Sequence, residues 1–122
     1  MRSVSVAFLA LALLSFHSYG AKAMEKVVVF WIPSQVETYA PVTADNIEQM
    51  AFKTVSVRNE RQAGQIVSLI EKANQKLDAN RIRIKISTEQ NSYNFDANGI
   101  GISSNGEQVK IDIQKLKQVL CE

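Results

Sequence analysis

The sequence predicts an α+β fold: a two-layer domain whose mostly antiparallel sheet packs against two or three helices and closes with a C-terminal β-meander followed by a helix. Three observations predict it. KVVVFWIP (26–33) is an unbroken run of strand-forming apolar residues stopped by proline. RIRIKIS (81–87) alternates cleanly between charged residues and isoleucine. NFDANGIGISSNGE (94–107) carries two Asn-Gly pairs, each flanked by alternating apolar residues. Strand periodicity is interrupted by stretches of helical spacing, and those helices must bury their apolar stripes against the sheet.

The first run, 27–32, is apolar at every position and reads as a central strand with both faces covered. Residues 33–42 form a loop bounded by Pro33 and Pro41. Thr43 is placed to cap a helix carrying Ile47, Met50 and Ala51 on one side. In KTVSVRN (53–59), Val55 and Val57 alternate with Thr54, Ser56 and Arg58, the pattern of a half-buried strand.

Asn59 is the expected N-cap of the main helix, with Gln62 as its reciprocal capping partner. Ala63, Ile66, Ile70, Ala73 and Leu77 form an apolar stripe that extends this helix to Asp78-Ala79-Asn80. In 81–87, Ile82, Ile84 and Ile86 are assigned to one face and Arg81, Arg83 and Lys85 to the other. Short strands follow at 93–95, 100–102 and 109–111. Asp112 caps a last helix with Ile113, Leu116, Val119 and Leu120 on one side.

The start of the chain has the three-part layout of a secretory signal: Arg2, an apolar run over 4–16, and the small-x-small site Ala21-Lys22-Ala23. The run is shorter than the about 20 apolar residues a membrane span requires. The expectation is a cleaved signal peptide at 1–23 and a single α+β domain at 24–122. It places the protein in the bacterial periplasm or medium, with no membrane span after cleavage.

This changes the chemistry available. The chain has 14 basic and 12 acidic residues. Removal of Arg2 and Lys22 with the signal balances them, so the basic excess argues for no nucleic-acid partner. The sole histidine, His17, leaves as well. A Ser-His-Asp or Cys-His arrangement cannot then be assembled, and one cysteine with no histidine is too little for an ordinary zinc site. Cys121, as the lone cysteine, cannot form a disulfide within the chain, and its place in a terminal apolar helix predicts burial.

The 94–107 stretch resembles a calcium loop only superficially. With Asn94, Asp96, Asn98 and Gly99 in the first ligand positions, Asn105 falls where a bidentate glutamate is required. Gly99 and Gly101 lack the third glycine of a phosphate loop, since Ser104 stands there. The reading that accounts for each residue is two hairpin turns and the strand between them. No catalytic residue, metal ligand or cofactor is expected, and the protein is read as no enzyme.

What remains is a surface. Arg81, Arg83 and Lys85 are expected on the outer sheet face, joined by Arg58 from a neighbouring strand. The first strand adds either Val27, Val29 and Trp31 or Val28, Phe30 and Ile32 to that face. Aromatic, apolar and arginine character together suit protein recognition. The alternative is that the cations keep the face wet while residues 33–42 fold over the apolar strip. The expected function is an exported protein-binding module for an acidic partner surface, such as an inhibitor or immunity-type protein acting on an enzyme or toxin. An accessory component of an envelope complex and a small-ligand carrier are the other classes that fit.

Overall fold

A computed structural model describes residues 26–33 and 35–121. The expected signal peptide at 1–23 and the new terminus at Met24 lie outside the described residues. The strands are β1 (Val27–Trp31), β2 (Lys53–Val57), β3 (Glu71–Lys72), β4 (Ile82–Ser87), β5 (Ser92–Asp96), β6 (Ile100–Ser103) and β7 (Gln108–Lys110). The helices are α1 (Ile47–Met50), α2 (Glu60–Ser68) and α3 (Ile113–Leu120). All seven strands join one sheet in the order β2-β1-β4-β5-β6-β7-β3, with every strand pair antiparallel. This is the α+β fold with its C-terminal meander and final helix.

The alternation of β1 divides the interior in two. Val27, Val29 and Trp31 join Ile84, Ile86, Phe95, Val109 and Ile111 beneath Ala63 and Ile66 of α2 and Leu116 of α3. Phe30, on the opposite face, packs with Ile32 against Val42, Ile47 and Ile82, flanked by Val36, Met50 and Leu77. β1 is thus central and apolar on both faces because both faces are covered. The chain between β1 and β2 does fold over the strip opposite the main core.

The meander is built by its turns. Gly99 and Gly106 have φ of 82° and 88°, and no other described residue type has positive φ. Gly99 N–H donates to the Asp96 carbonyl at 3.1 Å, and Gly106 N–H to the Ser103 carbonyl at 3.0 Å. The left-handed residue in each turn is therefore the glycine, with Asn98 and Asn105 at negative φ before it. Asp96 is buried and organises the first turn. Its Oδ1 accepts from the N–H groups of Asn98 at 2.9 Å and Ile100 at 3.1 Å, and its Oδ2 from that of Asp78 at 2.9 Å. The carboxylate that looked like a metal ligand spends its lone pairs on backbone amides.

Five local expectations require correction. First, α2 stops at Ser68, so Ile70, Ala73 and Leu77 are not on its stripe. The Ser68 hydroxyl donates back to the Gln65 carbonyl at 2.8 Å, and 71–72 pair with β7 instead. Second, Asn59 caps α2 by accepting from Gln62 N–H, but the Gln62 side chain donates to the Val119 carbonyl at 2.8 Å, stitching α2 to α3. Third, Thr43 does not cap α1 directly; Asn46 occupies that position, and α1 is a single turn ended by extended Ala51. Fourth, the register of β4 against β5 shifts between Ile82 and Ile84. This bulge sends Ile82 to the smaller cluster while Ile84 and Ile86 stay in the main core, and it buries Arg83. Fifth, Cys121 is exposed, because it lies just past α3 as its C-cap.

Candidate protein-recognition site

The five residues expected on one face occupy four environments. Trp31 is 9% exposed and lies in the main core, on the helix-covered side of the sheet. Lys117 of α3 stands 6.0 Å from its ring centroid, which is cation–π distance. Arg58 is exposed just after β2, next to the start of β1, whereas Arg83 meets the other end of β1 through the Ile32 N–H bond to its carbonyl at 2.8 Å. Lys85 does face away from the main core, but its ammonium donates to Glu48 of α1 at 2.8 Å. Its side chain is 17% exposed, so this cation is already engaged.

Arg81 and Arg83 are the pair the fold brings together. Both line an open cleft of about 380 Å³ walled by Glu37, Thr38, Tyr39, Ala40 and Pro41, with Asn80 at its side. Arg81 is exposed at the entrance to β4, where it forms a parallel bridge with Val42. The bridge follows from the Ile82 N–H bond to the Val42 carbonyl at 2.9 Å, which straps the end of the loop to the sheet. Arg83 is 5% exposed, and its Nη1 donates to the Ile82 carbonyl at 3.0 Å. Its Nε is buried with no acceptor.

The wall of the cleft has no regular secondary structure, and side chains hold it. The Thr38 hydroxyl donates to the Ala40 carbonyl at 2.7 Å. Asn46 Nδ2 donates to the Pro41 carbonyl at 3.0 Å, while its Oδ1 accepts from Thr43 N–H at 2.8 Å. Tyr39 projects fully into solvent. Sequence reasoning passed over Tyr39 and Glu37 because the loop has no apolar period. The available signal was an aromatic residue among prolines and polar residues, with no periodic partner to pack against.

In comparisons with known proteins, no family model matches the chain, and neither a curated protein nor a solved structure is significantly similar to it. The functional reading therefore rests on the residues themselves. Among the described residues, no three His, Cys, Asp or Glu side chains form a group able to hold a metal ion. No described helix is long and apolar enough to cross a membrane. What the cleft offers chemically is two guanidinium groups and a phenol at an open mouth, donors suited to an acidic group on another molecule.

Proposed function

We propose that this protein is a small exported binding module without catalytic activity, of the inhibitor or immunity type, that recognises an acidic surface on an enzyme or toxin. The observation that carries the reading is the cleft: an exposed Tyr39 beside exposed Arg81 and buried Arg83. Tyrosine and arginine dominate the energetics of protein interfaces, since each combines a large contact area with directed hydrogen bonding. An open cleft with two cations against one carboxylate, Glu37, favours a negatively charged partner. Arg58, Lys85 and Trp31 are no longer central to this reading. Arg58 stands at the far end of β1, Lys85 is paired with Glu48, and Trp31 lies in the core.

The test is affinity capture from a cell-envelope extract, run in parallel with wild-type protein and with the double variant Tyr39→Ala/Arg81→Glu. Both residues are exposed, so the variant should keep the fold. The expected result is one stoichiometric protein retained by wild type, lost by the variant, and inhibited by the purified wild-type protein. Retention of a multi-protein assembly would replace the inhibitor reading with that of an accessory component. Equal capture by both proteins would remove the cleft from the interface.

A further inference from the structure

We infer that the cleft walled by residues 37–41 is a carboxylate-binding site, with the Arg83 guanidinium as its seat. The inference deepens the recognition reading and rests on it only for the source of the carboxylate, an acidic side chain of the partner protein. Arg83 is 5% exposed, yet the ion pairs among the described residues, Lys72–Glu107, Lys85–Glu48 and Lys110–Glu71, do not include it. A buried cation with no counter-charge is costly to keep, and such groups are ordinarily paired.

The geometry of the unpaired edge identifies the missing group. Nη1 is anchored on the Ile82 carbonyl at 3.0 Å, which fixes one corner of the planar guanidinium. Nε, which shares the adjacent edge with Nη2, has no acceptor. Two N–H groups side by side on one edge match the two oxygens of a carboxylate in parallel hydrogen bonds. The cleft sets the aim: Arg83, at the register shift between Ile82 and Ile84, lines it together with Arg81. Arg81, exposed at the mouth, supplies the charge that draws the anion in.

Nε itself is buried, so seating a carboxylate against it requires the groups that cover it to move. The Thr38 hydroxyl bonds within the segment, to Ala40, and Tyr39 stands clear of the sheet. Glu37 is the competing group, since it lines the same cleft and forms no ion pair with either arginine.

The test starts from the wild-type protein. In isotope-labelled protein, the Nε–H resonance of each arginine is followed by NMR while acetate is added at constant ionic strength, with chloride as the reference anion. The Arg83 resonance should shift saturably with acetate, while those of exposed Arg58 and Arg61 follow ionic strength alone. A short peptide with one glutamate should bind more tightly than acetate, because it also reaches Tyr39 and Arg81. Arg83→Lys keeps the charge but loses the two-donor edge, and should weaken binding on the order of tenfold. An Arg83 resonance that moves no more than that of Arg58 would overturn the site. So would a large shift of that resonance in Glu37→Gln without added anion, which would show that Glu37 already fills the seat. An acetate response without any preference for the peptide would keep the site and overturn its protein source. A saturable response in a protein that captures no partner would remove only the recognition reading.

Discussion

The two faces of the sheet are covered by different means. On one, α2 and α3 lay apolar stripes across five strands, and the resulting core includes Phe95, Ile66 and Leu116 with essentially no exposure. On the other, a one-turn helix and irregular chain cover only the region near β1 and β4, around Ile32, Val42, Ile47 and Ile82. Regular elements satisfy their own backbone, so their packing can be dry and extensive. The irregular cover must satisfy its backbone with the side chains of Thr38, Thr43 and Asn46. A cover built that way is small, and at its margin it leaves arginines without acidic partners. The difference teaches that the recognition chemistry follows from how one face was closed.

The sharpest way to break this comparison is to remove apolar bulk from each side. Phe95→Ala should cost about 3–5 kcal/mol by denaturant unfolding, and Ile47→Ala about 2 kcal/mol, at the low end for a buried isoleucine. Ile47 lies in the smaller cluster, under a one-turn helix and irregular chain that can relax into the void. Native-state hydrogen exchange should show amides of the 43–50 segment opening before those of β4 and β5. Equal costs and equal protection would mean that the two covers form one cooperative unit.

The next effect concerns the turns of the meander. Gly99 sits at φ 82°, and a Cβ there would overlap the Ile111 carbonyl oxygen. Gly99→Ala should cost about 1–3 kcal/mol, from the left-handed backbone and the displaced strand end. Gly106 has φ 88° but open space around it, so Gly106→Ala should cost less. A reversed order in thermal unfolding would show that contact with Ile111, just after β7, does not matter. The smallest effect is the pair between Lys85 and Glu48, the one ion pair that ties the irregular cover to the sheet among the described residues. With Glu48 half exposed, a double-mutant cycle should return about 0.2–1 kcal/mol. A larger coupling would mean that electrostatics, rather than Ile47, pins α1.

Much of this was legible in the sequence, and the reasons divide along the same line. Periodic or punctuated segments have one good solution: Val27 to Trp31 as a central strand, Asn59 and Asp112 as caps, and Gly99 and Gly106 as turn residues. Asp112 accepts from the N–H groups of Gln114 at 3.0 Å and Lys115 at 3.2 Å, as its position implies. The losses have physical causes too. A bulge is an inserted residue, and strict alternation in 81–87 cannot reveal it, so the pattern puts Arg83 on the outer face and Ile82 on the same side as Ile84 and Ile86. Ile70 and Ala73 fit the helical spacing of α2, but pairing with distant β7 outweighed local preference. Trp31 was ambiguous because a strand apolar on both faces carries no inside or outside. The cleft itself was invisible, since its wall owes nothing to periodicity and the bridge that brings the wall to the arginines joins Val42 and Arg81 across a long stretch of chain.

The place of β1 beside β4 has a consequence for how the chain reaches this structure. β4 to β7 are successive neighbours joined by short turns, so each pairing closes a small loop. β1 pairs with β4 across the whole of α1, β2, α2 and β3, matching Val29 to Ile86. Closing a loop of that length carries a large entropic penalty before any contact compensates for it, and non-local pairing of this kind slows folding. The hairpins of the C-terminal half close locally, whereas β1 must find β2 at 53–57 and β4 at 82–87, both distant in the chain. In a chain made amino-end first, the apolar 27–32 segment has no strand partner until 53–57 has followed, and its second edge has none until 82–87.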